Sequence, residues 1–113
     1  MQTQPGAHSP RRRAEPVAFT RAELMRILSV YGTHVAAGDW RDYAIDCLPD
    51  AAVFSVFRKT SEMPLYRIEK RPKLARKQGA YLVVSMTGQI LKRGHDLGQV
   101  LRVFDKAKLK LAT

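Results

Sequence analysis

The chain has 113 residues, 45% of them hydrophobic, which is the size and composition of one globular domain with its own core. Its single cysteine, Cys47, excludes an intramolecular disulfide, and no apolar run approaches the ~20 residues of a membrane-spanning helix. The net charge of +10 favours contact with polyanions.

The positive charge is concentrated in the second half of the chain. Residues 58–113 contain fourteen lysines and arginines against four acidic residues, whereas residues 17–57 contain three against five. Residues 1–16 contain three arginines and three prolines and lack the apolar core of a secretory signal. We therefore predict a disordered basic tail over residues 1–16 and a single domain over residues 17–113.

A first helix is predicted over about residues 20–37. Thr20 followed by Glu23 has the spacing of a capping box, in which each side chain bonds the other residue's backbone N–H. Gly38 is suited to the left-handed position after the last turn. The apolar face of this helix has helical spacing and comprises Leu24, Ile27, Leu28, Tyr31 and Val35.

Five strands are predicted where the apolar period changes to two residues. They cover approximately 41–48, 52–59, 65–71, 80–86 and 90–93. The connections are short, which implies an antiparallel meander. Proline cannot donate to a strand ladder, so Pro72 ends the third strand. Cys47 is expected to be a small buried residue of the first strand.

A second helix is predicted over about residues 97–110, with Asp96 as its N-cap and Gln99 at the third helical position. Its inner face comprises Leu97, Val100, Leu101, Phe104 and Ala107. The predicted fold class is α+β: an N-terminal helix, a five-stranded antiparallel meander sheet and a C-terminal helix in a two-layer single domain.

Three phrases of the sequence are long and unusual: GTHVAAGDWRDYAID at 32–46, MPLYRIEKRPKLARKQGAY at 63–81 and LKRGHDL at 91–97. On these phrases the chain resembles, over about residues 17–110, a small alphaproteobacterial family known as domain of unknown function 2794. The resemblance implies a one-domain bacterial cytoplasmic protein. It brings no activity, substrate or site residues.

Motifs for metal binding and catalysis are missing from the sequence. The three histidines and Cys47 show no close ligand spacing, and there is neither a phosphate-binding loop nor a Gly-x-Ser-x-Gly turn. We predict a non-enzymatic protein without metal or cofactor. A small enzyme remains a third alternative, with a pocket around His34, Trp40, Asp42 and Asp46. A simpler reading is that Trp40 anchors the helix-to-sheet corner and that Arg41 pairs with a nearby acid.

The basic hairpin around residues 67–77 is the candidate binding surface, because only one acid interrupts its cations. Cations that meet phosphates release counterions, which makes the binding salt-dependent. Arg58 and Lys59 would extend the surface, and an exposed Tyr66 or Tyr81 would stack a base. The predicted nucleic-acid contacts are Arg67, Lys70, Arg71, Lys73, Arg76, Lys77, Lys92 and Arg93.

The leading hypothesis is therefore a cytoplasmic protein that binds RNA or DNA with low sequence specificity. The alternative is a protein–protein interaction module, in which the basic hairpin steers an acidic partner. A homodimer through an exposed sheet face or edge strand is compatible with either hypothesis.

Overall fold

In a computed structural model of the chain, the structure describes residues 15–59 and 63–112, with side chains up to residue 105. The predicted tail over residues 1–16 lies almost entirely outside the described residues. The elements in chain order are α1 (Arg21–Ala36), β1 (Asp42–Cys47), β2 (Ala52–Phe57), β3 (Tyr66–Lys70), a 3₁₀ helix (Pro72–Leu74), β4 (Tyr81–Ser85), β5 (Ile90–Gly94) and α2 (Leu97–Ala112).

The predicted α+β fold is confirmed. The five strands form one sheet in the order β1-β2-β3-β4-β5, and every neighbouring pair is antiparallel. Short connections require this arrangement, because parallel neighbours would need long crossovers. Within the described residues, neither helix has the length and apolar character that a bilayer-spanning helix requires.

Both helices begin at the predicted caps. The Glu23 backbone N–H donates to Thr20 Oγ1 over 3.1 Å, and the Thr20 N–H donates to Glu23 Oε1 over 2.7 Å. At the start of α2, the Gln99 N–H donates to Asp96 Oδ2 over 3.0 Å. These carboxylates and the hydroxyl satisfy N–H groups that the helix itself leaves unpaired.

The core lies between the two helices and one face of the sheet. Directly paired residues of an antiparallel sheet share a face, so the register places Phe54, Ile68 and Val83 in one row. All three are fully buried, together with Ile27 of α1 and Val100 of α2. Of the predicted inner face of α2, Ala107 lies beyond the described side chains. We call this core-bearing side the helix side of the sheet, and the other side the open face.

The expectation that Cys47 is buried is wrong, because Cys47 is exposed. It occupies the predicted side of β1 with Tyr43 and Ile45, which are 42% and 40% exposed. β1 is an edge strand, and α2 lies instead over β4 and β5 at the other edge. The helix layer therefore leaves most of β1 uncovered.

Glu23 joins α1 to the middle of the sheet. Lys70 Nζ lies 2.8 Å from Glu23 Oε1 and 2.9 Å from the Ala18 carbonyl oxygen, and the Tyr81 hydroxyl donates to Glu23 Oε2. The side chains of Lys70 and Glu23 are only 16% and 13% exposed. Burial alone would raise the pKa of Glu23, but the hydrogen bonds from Lys70, Tyr81 and Thr20 hold that pKa below its ordinary value.

Replacing Glu23 with glutamine is expected to destabilise the fold by about 3 kcal/mol, because the Lys70 ammonium would stay poorly hydrated without its counter-charge. The measurement is urea-induced unfolding at neutral pH. Glu15→Gln is the matched control, since Glu15 is exposed, and its effect should stay within about 0.5 kcal/mol. Equal effects of the two substitutions would contradict the role assigned to Glu23.

Tyr81 should make stability depend on pH in the alkaline range. Burial and the hydrogen bond to Glu23 raise the pKa of Tyr81 from 10.0 to about 12. The folded protein thus holds the phenol proton more tightly than the unfolded chain. The resulting stabilisation is complete below pH 10.0 and is lost as the pH rises towards about 12.

The measurement is the free energy of unfolding between pH 9 and pH 12, roughly the range that spans both pKa values of a shifted tyrosine. Tyr81→Phe has no proton to lose at this position, so its stability should fall less steeply than that of the unmodified protein. Parallel curves for the two proteins would show that Tyr81 titrates alike in the folded and unfolded states.

Candidate nucleic-acid interface

Three arginines share the open face of the sheet. Arg67 and Glu69 alternate with core residues along β3, and Arg71 follows the same alternation just beyond the strand. Arg67 Nε lies 3.1 Å from Glu69 Oε2, and Arg71 Nε lies 2.8 Å from Glu69 Oε1. Glu69 is 6% exposed at its side chain, whereas the two arginines are 34% and 38% exposed. One buried carboxylate therefore holds two half-exposed guanidinium groups in place.

Arg93 of β5 adds a third cation to this face. The register pairs Glu69 with Leu82 and Leu82 with Arg93, so all three lie in one row across the sheet. Among the described atoms, Arg93 Nε is buried without a hydrogen-bond partner. Arginine stems are suited to cover apolar neighbours such as Leu82, which is 3% exposed, while the charge stays near water. Arg93 Nε thus forms no hydrogen bond to Glu69, unlike the Nε atoms of Arg67 and Arg71.

The connection between β3 and β4 brings further cations to one end of the sheet. The Leu74 carbonyl accepts from the N–H groups of Lys77, Gln78 and Gly79 at 3.0 to 3.1 Å, which folds the segment into a compact turn. Gly79 has φ +95°, and a Cβ there would lie 2.2 Å from the Gly94 backbone. Only glycine allows this approach, and it fixes the turn against the end of β5.

The cations of this turn are well exposed. Arg76 and Lys77 point to solvent without an ion pair to any described carboxylate, and Lys73 lies 3.2 Å from Asp50. Both partners of that pair are more than half exposed, so it contributes little to stability and is readily exchanged for another anion. We call the following set the basic face: Arg67, Arg71, Lys73, Arg76, Lys77 and Arg93.

The other two predicted contacts lie on the helix side. Lys70 alternates with Glu69 and Arg71 along the chain, so its side chain enters the core margin and pairs with Glu23. Lys92 is paired with the core residue Val83 and is exposed beyond the sheet edge. Of the eight predicted residues, three thus lie on the open face, three lie in the adjoining β3–β4 connection, and these two lie on the helix side.

The two predicted stacking tyrosines are also on the helix side. The Tyr66 ring lies 5.2 Å from that of Phe104, and the Tyr81 hydroxyl is bonded to Glu23. Both are half-buried against the core. Neither ring is presented to a ligand on the basic face.

The Trp40 corner does form a cleft, at the end of the sheet opposite to the β3–β4 turn. Trp40 is 5% exposed, which confirms its anchoring role. The cleft holds about 410 Å³ and is lined by Asp39, Arg41, Arg58 and Lys59 rather than by the predicted Asp42 and Asp46. Arg41 makes no ion pair with a described carboxylate, contrary to expectation. No group of three metal-ligating side chains occurs within the described residues.

Comparison with known proteins assigns the chain to a family. No curated protein and no solved structure matches it significantly. A family model described as "Protein of unknown function (DUF2794)" matches residues 17–101, which span all five strands and the first turn of α2. The match covers well over half of the sequence, and the chain belongs to the DUF2794 family of proteins of unknown function.

Proposed function

We propose that this protein is a non-enzymatic nucleic-acid-binding protein that contacts RNA or DNA through the basic face with low sequence specificity. One observation carries the proposal: the sheet face opposite the helices and the adjoining β3–β4 turn carry six cations. The carboxylates near them are Glu69 and Asp50, together with Asp42 and Asp46, which the β1–β2 register places on the same face. These described side chains leave an excess of two positive charges, which suits phosphate binding.

The geometry of the arginines suits phosphate. Glu69 accepts from the Nε of both Arg67 and Arg71, so their guanidinium positions are fixed before a ligand arrives. A planar guanidinium has further N–H donors beyond Nε and binds phosphate oxygens in bidentate fashion. Preorganisation of this kind lowers the entropy lost on binding.

Low sequence specificity follows from the shortage of base-reading groups. Among the strand residues, the register places one aromatic side chain, Phe57, on the open face, and Tyr66 and Tyr81 lie on the other side. Contacts from arginine and lysine to the phosphate backbone position a nucleic acid but do not read its bases. The binding should therefore be strongly salt-dependent and tolerant of sequence.

A cytoplasmic location is part of the same proposal. Cys47 is an exposed free thiol, and such a group persists most readily in a reducing compartment.

A specific observation also supports the alternative of a protein-interaction module. Edge strand β1 and the turn after it expose Tyr43, Ile45 and Leu48, each 40–45% exposed. Exposed apolar side chains on an unpaired edge are a common contact for protein partners. Affinity capture from cells with and without nuclease separates the two functions, because only direct protein contacts survive nuclease.

The double substitution of Arg76 and Lys77 by glutamine should weaken binding to a single-stranded oligonucleotide and lower the salt dependence. With about four phosphate contacts, the slope of log affinity against log salt is expected near −3, and each lost contact reduces its magnitude by about 0.7. Fluorescence anisotropy with random-sequence oligonucleotides at several salt concentrations measures both quantities.

The matched control removes two exposed arginines from the helices, Arg21 and Arg102, by the same change to glutamine. Net charge falls equally in the two variants, so a loss confined to Arg76 and Lys77 locates the binding surface. Equal losses would indicate a general charge effect. Weak binding with no salt slope would rule out the proposed function.

Glu69→Gln is expected to strengthen nucleic-acid binding, because the removal of a negative charge beside the phosphates outweighs the loss of arginine preorganisation. The substitution removes the only carboxylate between Arg67 and Arg71 and releases both guanidinium groups for phosphate, so the salt slope should steepen by about 0.7 for each additional contact. The same anisotropy titration measures the change, with urea unfolding to show that the variant is folded. Unchanged affinity in a folded variant would place the nucleic acid away from β3.

A further inference from the structure

A second cationic site lies at the Trp40 cleft, where α1 ends and β1 begins. Asp42 and Phe57 form the last residue pair at this end of strands β1 and β2. Just beyond them, the Arg41 N–H donates to the Phe57 carbonyl over 2.8 Å. Arg41 and Arg58 therefore occupy adjoining positions at the end of neighbouring strands. Like charges in such positions repel one another, so the arrangement costs stability unless an anion lies between them.

The described residues that line the cleft carry an excess of positive charge. Arg41, Arg58 and Lys59 line it and are exposed, and none forms an ion pair with a carboxylate in the described ranges. The one described acid in the lining, Asp39, bonds instead to the ring of His34, with its carboxylate Oδ2 as the acceptor 3.1 Å from Nδ1. Among the described lining residues, three cations against one carboxylate give a local charge of +2.

A smaller cavity, which we call the inner cavity, adjoins the cleft. It holds about 110 Å³ and shares Asp39, Trp40 and Arg58 with the outer cleft. Its remaining walls are mainly apolar and include Leu65, Tyr66 and Phe104. A cavity of ~150 Å³ accepts a benzene ring. The inner cavity is smaller than this and thus has the scale for part of one ring but not for a large ligand.

The walls of the site are held in place by contacts within the protein. The Trp40 ring stacks on His34 with centroids 4.2 Å apart and meets the edge of Phe104 at 4.9 Å. The His34 carbonyl accepts from the N–H groups of Asp39 and Trp40, and the Tyr31 hydroxyl donates to the Arg41 carbonyl over 3.1 Å. A ligand would therefore enter a preformed site.

We propose that this cleft binds a small phosphomonoester whose phosphate lies between Arg41 and Arg58 and whose single apolar ring inserts one edge into the inner cavity. The charge excess of the cleft matches a phosphomonoester, which carries about −1.5 to −2 at neutral pH, better than a carboxylate with a single charge. Two adjoining guanidinium groups also provide the forked donors that phosphate oxygens accept. The site is separate from the basic face and does not depend on the nucleic-acid proposal.

The test uses the full chain with phenyl phosphate as the probe. Trp40 is the only tryptophan, so its indole N–H gives a single NMR signal that reports on the cleft. Phenyl phosphate is expected to shift this signal saturably. Inorganic phosphate lacks the ring and benzoate lacks the second charge, so both should bind about tenfold more weakly or worse.

Arg58→Gln and, separately, Arg41→Gln should each lower the affinity for phenyl phosphate at least about tenfold, the effect of losing charge-assisted hydrogen bonds. Arg21→Gln is the matched control, because it removes one exposed arginine at the far end of α1. Its affinity should stay within about twofold of the unmodified protein. The midpoint of urea unfolding identifies any variant that has lost its fold. If one of the two arginine variants is unfolded, Lys59→Gln replaces it, because Lys59 also lines the cleft.

Three results would overturn the proposal. The first is the lack of a saturable Trp40 shift with phenyl phosphate. The second is an equal loss of affinity in Arg21→Gln and Arg58→Gln, which would indicate general charge attraction. The third is equal affinity for phenyl phosphate and inorganic phosphate, which would leave the inner cavity without a role in binding.

Discussion

The alternation of side chains along β3 is the constraint on which both the core and the basic face depend. Successive residues of a strand point to opposite sides, so Ile68 and Lys70 belong to the helix side while Arg67 and Glu69 belong to the open face. A shift of register by one residue would exchange the two sets and place Arg67 in the core. The buried Ile68 and the Glu23–Lys70 ion pair both resist such a shift. The stability of the domain and the position of its cations are therefore determined together.

Neutralisation within the fold decides which cations remain available. Lys70 lies in a run of basic residues, but it is used to dock the start of α1 through Glu23. Arg67 and Arg71 share Glu69, which fixes their orientation without cancelling both charges. Arg76 and Lys77 have no described carboxylate partner. Lys73 has only an exposed pair with Asp50. The same sequence segment thus supplies one structural cation and five cations of the basic face.

The fold could be predicted from the sequence because the sequence signals for its helices and strands are local. The Thr20–Glu23 and Asp96–Gln99 spacings mark helix starts, and alternation between short turns marks the strands, so both the element order and the meander were predictable. The exposure of Cys47 and the pairing of Lys70 depend on where the helices lie over the sheet. Composition and period do not specify that placement, because β1 has the same alternation whether a helix covers it or not.

Antiparallel connectivity explains why the molecule has two cationic sites instead of one. Arg58 and Lys59 precede the basic hairpin by few residues in the sequence, yet β3 runs from their end of the sheet to the other and carries the chain to Arg76 and Lys77 there. A strand of five residues separates such ends by roughly 15 Å at about 3.3 Å per residue. This distance exceeds the Debye length of about 8 Å at physiological ionic strength, so Arg76 and Lys77 are screened from Arg58 and Lys59.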